Sequence, residues 1–111
     1  MKSVSYAGLT FETADEIADA LLQLAAALGA NERSETVDIP VVENNGDLAS
    51  VQLVIGPASQ FISKRVTSPY DDPSNAEVVE HLRYRTRLLD LPRAAAISDT
   101  EIERLDFDSP S

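Results

Sequence analysis

The chain has 111 residues, nineteen acidic against nine basic, a net charge of −10 and no cysteine. That length suits one domain, and the missing thiols exclude disulfides, thiolate metal sites and a cysteine nucleophile. The negative charge opposes phosphate backbones and anionic lipid surfaces, so neither nucleic acid nor membrane is an expected partner, whereas a basic protein is compatible with it.

Val4–Phe11 reads as a first strand, with Ala7-Gly8 marking a bulge or bend. Before it, Met1–Tyr6 lacks the apolar core of a signal peptide. Thr13-Ala14-Asp15-Glu16 has the form of a capping box, Thr13 accepting from the Glu16 amide. The helix it opens carries Ile17, Leu21, Leu24 and Leu28 on one stripe and is expected to stop at Gly29. Its apolar run Leu24–Leu28 is far shorter than the roughly 20 residues that cross a bilayer. With no need for an oxidising compartment, the expected location is the cytoplasm.

Thr36–Ile55 carries the clearest pattern in the chain. Val37, Ile39 and Val41 alternate with Asp38, Pro40 and Val42, and Ala49, Val51, Leu53 and Ile55 alternate with Ser50, Gln52 and Val54. Asn44-Asn45-Gly46 between them predicts a hairpin. A two-residue turn would oppose Val41 to Ser50, setting the apolar face of one strand against the polar face of the other. A three-residue turn pairs Val41 with Ala49, Ile39 with Val51 and Val37 with Leu53, and puts Gly46 in the left-handed conformation. Pro40 lacks an amide N–H, which places its strand at an edge or Pro40 itself at a non-bonded position.

Gly56-Pro57-Ala58-Ser59 ends the second strand, and the alternation in Gln60–Thr67 is compatible with another. Ser74-Asn75-Ala76-Glu77 reads as a second capping box. The helix after it ends near Asp90, because Pro92 disfavours helix at Leu91. Val78, Val79, Leu82, Thr86 and Leu89 form its core stripe. Arg93–Ile97 is a candidate closing strand, 99–105 a candidate short helix, and 106–111 a frayed acidic tail after a single domain at 1–105. The expected fold is α+β: a two-layer sandwich, its antiparallel sheet of three to four strands covered on one face by two helices, in the order β-α-β-β-(β)-α.

Residues able to do chemistry are few. His81 is the only histidine, and Glu77 one turn before it makes an ordinary surface pair. Asp71-Asp72 beside proline is turn chemistry and lacks the spacing of a cation loop. Ser59 and Gln60, in the loop Gly56–Gln60, are weak ligand-binding candidates together with His81 and Arg85. Arg83, Arg85, Arg87 and Arg93 lie on and just after the second helix without aligning for phosphate, and Arg85, close to the core stripe, is expected either to lay its stem over the sheet margin or to pair with an acid. No catalytic residue, metal ligand or cofactor is expected.

A second row on that helix, His81, Tyr84 and Leu88, extended by Leu91, lies opposite the core stripe. It is the candidate interface of a homodimer, unless Ile97, Ile102 and Leu105 fold back over it. The sequence therefore points to a small acidic interaction or accessory domain, self-associating or regulating a basic partner. The alternative is a ligand-binding protein or enzyme with a pocket between Gly56–Gln60 and the second helix.

Overall fold

In the computed structural model, which describes residues 1–91, the elements follow as β1 (Lys2–Tyr6), β2 (Leu9–Thr13), α1 (Asp15–Ala30), β3 (Glu35–Val42), β4 (Leu48–Ile55), β5 (Phe61–Arg65) and α2 (Ala76–Asp90). The five strands form one open antiparallel sheet in the order β4-β3-β2-β1-β5. The α+β class is as expected. The expected closing strand, final helix and acidic tail lie outside the described residues.

The sheet has five strands because the expected first strand is a hairpin. Tyr6 pairs with Leu9 around Ala7 and Gly8, whose φ values of 54° and 82° define a two-residue turn with both central residues left-handed. Lys2, Val4 and Tyr6 thereby come to lie beside Thr13, Phe11 and Leu9 on the helix-facing side. Phe61–Arg65 pairs with the other edge of β1 and supplies the strand that the alternation in this segment allowed.

Thr13 does not cap α1. It is the buried last residue of β2, and its hydroxyl donates to the Pro40 carbonyl at 2.7 Å. The cap position belongs to Ala14, which has no side-chain acceptor, although Asp15 and Glu16 still favour the positive end of the helix dipole. At the other end Gly29 lies inside the helix, and the left-handed residue is Glu32, with φ 53°. The Arg33 amide donates to the Leu28 carbonyl at 3.0 Å and the Glu32 amide to Gly29 at 3.2 Å, the double bond of a Schellman motif.

The β3–β4 hairpin has the expected register: Val41 opposite Ala49, Ile39 opposite Val51, Val37 opposite Leu53. The Glu43 amide donates to the Asp47 carbonyl at 2.9 Å across a three-residue turn, and Gly46 has φ 91°. Counting alternate pairs from Glu43–Asp47 makes Pro40–Ser50 a non-bonded pair. The strand is interior, between β4 and β2, and the missing Pro40 amide interrupts no bond to β4. Val42, on the opposite face, is also buried.

For α2 the cap is Asn75, one residue later than expected, its side chain accepting from Glu77 and Val78 amides at 3.0 and 3.3 Å. The helix stops at Asp90, and Leu91 takes the extended conformation that a following proline favours. Ile17, Leu21, Leu24 and Leu28 of α1, Val79 and Leu82 of α2, and Val4, Ile39, Leu53 and Ile55 of the sheet share one core. No helix among the described residues is long and apolar enough to cross a membrane.

The sheet is strongly curled. β4 and β5 are its two edges, yet only Gly56–Gln60 joins them, and that loop contains a tight turn, the Ser59 amide bonding to Gly56 at 3.0 Å. In a flat sheet the edges would lie four strand spacings apart, about 19 Å. The Tyr6 hydroxyl, from β1, also donates to the Val54 carbonyl on β4. A tyrosine reaches so far only because the helix-facing sides of the two hairpins turn toward each other.

Candidate binding surfaces

Curling leaves a gap. β2 and β3 are bridged at the single pair Glu12–Val42, and beyond it β2 and the tip of the β3–β4 hairpin part. The space between them is a cleft of about 600 Å³, within the range of ligand sites. Tyr6, Phe11, Val41, Val51 and Leu53 form its apolar wall, and Leu9, Thr10, Glu43, Asn44 and Asn45 its mouth. The Tyr70 hydroxyl donates to the Asn44 carbonyl at 3.1 Å, holding the ring at the lip. That ring lies 2.6 Å from where a Cβ on Gly46 would be, so a side chain there would have to displace Tyr70 as well as adopt a left-handed φ. Among the described residues, Glu12 and Glu43 are the charged members of the lining, with no basic side chain beside them. Sequence reading missed this site because it forms where two hairpins separate, one of which was read as a single strand.

The Gly56–Gln60 loop has a structural task. Ser59 Oγ accepts the Gly56 amide at 2.9 Å and lies 3.3 Å from the Tyr6 hydroxyl, whose ring stacks on Phe61 with centroids 4.4 Å apart. The shallow depression beside the loop is lined by Tyr6, Ala7, Ser34, Val54 and residues 56–60, Gln60 among them, and by no described residue of α2. Ser59 and Gln60 line this depression without His81 and Arg85.

Arg85 pairs with an acid, as its position near the core stripe suggested. Its Nε donates to the two Glu35 carboxylate oxygens at 3.1 and 3.2 Å, and its Nη2 donates to the same group, tying α2 to the start of β3. These hydrogen bonds first, and the guanidinium charge after them, outweigh partial burial and hold the Glu35 carboxyl below the ordinary carboxylate range; the same bonds raise Arg85. His81 is exposed and has no hydrogen-bond partner among the described residues. Asp71 and Asp72 are exposed too, and no group of potential metal ligands occurs among the described residues.

The outer face of α2 is the second surface. Tyr84 is 52 % exposed, Leu88 39 % and Leu91 54 %. At 100° per residue they lie with His81 on the side away from Val79 and Leu82. Glu77, Glu80 and Arg87 share that side, acids in the first half of the helix and a base in the second. Comparison with protein-family models, curated protein sequences and solved structures finds no match for the chain.

Proposed function

We propose that the chain is a non-catalytic interaction domain that associates with a second copy of itself through the outer face of α2, in an accessory or regulatory role. The observation that carries this reading is the row His81, Tyr84, Leu88 and Leu91, an aromatic and two leucines aligned on a face that the core does not use. Tyrosine favours interfaces because it offers a large apolar area with one polar tip. Charge order favours a second copy as the occupant. Two α2 helices crossing antiparallel about Tyr84 bring Glu77 and Glu80 of each toward Arg87 of the other, so a two-fold axis pairs opposite charges around an apolar centre.

Sedimentation velocity at micromolar concentration tests this. The expected result is a species of twice the 12.0 kDa chain mass, weakened by high salt and reduced to a monomer by Leu88→Asp. A monomer throughout, or a dimer that Leu88→Asp leaves intact, contradicts it. Net charge, −10 for the chain, further favours basic proteins among outside partners, by the long-range attraction that speeds encounter.

A further inference from the structure

We infer that the cleft between β2 and the β3–β4 hairpin is a docking site for an extended, basic, apolar segment of a partner protein. The inference rests on reading the domain as an interaction module, but not on its dimer, since α2 contributes nothing to the cleft lining.

Three features define the occupant. The wall, from Tyr6 and Phe11 to Val51 and Leu53, is apolar and accepts aliphatic or aromatic side chains. The charges of the lining are both negative, Glu12 beside Val42 and Glu43 at the mouth, and neither forms an ion pair among the described residues. An anionic ligand would meet two carboxylates and, among the described residues, no cation, whereas a lysine or arginine beside an apolar residue would find a counter-charge. The third feature is backbone. Glu12 pairs with Val42, and Thr10, two residues earlier, faces the same way with no partner on β3. Its N–H and C=O are available to an added main chain, in the manner of strand addition. A segment held by main-chain bonds, with alternate side chains in the wall and at the acidic mouth, satisfies all three.

The test is an NMR titration of the full chain with a short peptide that alternates leucine or phenylalanine with lysine or arginine. Two control peptides replace the basic residues by glutamate or the apolar ones by serine. The expected result is saturable binding of the first peptide alone, with shifts at Leu9, Thr10, Glu43 and Tyr70. Glu12→Gln combined with Glu43→Gln should weaken it about tenfold, in line with charge pairs at interfaces. Leu9→Ser, at an exposed position of the mouth, should weaken it severalfold while leaving the melting temperature unchanged. The same titration on Leu88→Asp should give the same affinity, which separates this site from the dimer. Equal binding of the serine control would reduce the effect to bulk charge and overturn the proposal. Shifts confined to α2 would place partner binding there, keeping the interaction reading and removing the cleft. Cleft shifts that grow with protein concentration alone would make the occupant a second copy, and cleft binding by phenethylamine without the peptide would make the cleft a small-molecule site. Absence of binding up to millimolar peptide also overturns it.

Discussion

The two helices are nearly equal in length and differ in what they do. α1 buries Ile17, Ala18, Ala20, Leu21, Leu24, Ala27 and Leu28, while α2 buries only Val79 and Leu82. α1 packs against both α2 and the sheet, so apolar residues around much of its girth meet protein. α2 touches the core along one stripe, is tied at Arg85, and leaves an aromatic and two leucines outside the core formed by the described residues. The helical share of the core is thus unequally divided, most of it coming from α1. α1 is needed to form the core, and α2 carries apolar surface beyond what the core requires.

The comparison breaks first if truncation hurts both helices alike. Leu24→Ala should cost about 3 kcal/mol in urea unfolding, the range for a fully buried leucine, whereas Leu88→Ala should stay within about 0.5 kcal/mol at concentrations where the chain is monomeric. Next in size is the tether. Glu35→Gln should cost about 1 kcal/mol, since the carboxylate is 16 % exposed and bonded to a guanidinium. Because its folded pKa is depressed, Glu35 stabilises fully above the free-glutamate value of about 4.3 and loses that contribution as pH falls through its lower folded value. Melting temperatures measured across that acid range should therefore fall less steeply for Glu35→Gln than for the native chain. Smallest is the end of α1. Glu32→Gly should stabilise by about 0.5–1 kcal/mol in the same urea assay, because glycine accepts φ 53° without the Cβ penalty.

Legibility followed the strength of the local signal. The β3–β4 register was readable because Asn-Gly fixes a turn and a one-residue slip would bury Ser50 and Gln52. The β1–β2 hairpin was not, because Ala7 carries no left-handed preference and Ala-Gly resembles a bulge as much as a turn. The α1 terminus was misplaced for a related reason: Gly29 advertises a stop, while the position that needs one is filled by Glu32. Thr13 has the spacing of a cap, and spacing cannot show that tertiary structure claims its hydroxyl for the Pro40 carbonyl. The outer row of α2 was legible from helical spacing alone. The cleft had no sequence signature, since its walls come from separate hairpins that meet only when the sheet curls.

Self-association through α2 requires that the outer row be covered in solution. A soluble paramagnetic cosolute, which broadens the NMR signals of exposed groups, measures this at Tyr84, Leu88 and, as exposed references, Leu48 and Ile62. In the concentrated native chain, Tyr84 and Leu88 should be protected while Leu48 and Ile62 are broadened, and Leu88→Asp should return Tyr84 to the exposed level. Equal broadening of all four residues in the concentrated native chain would contradict the account.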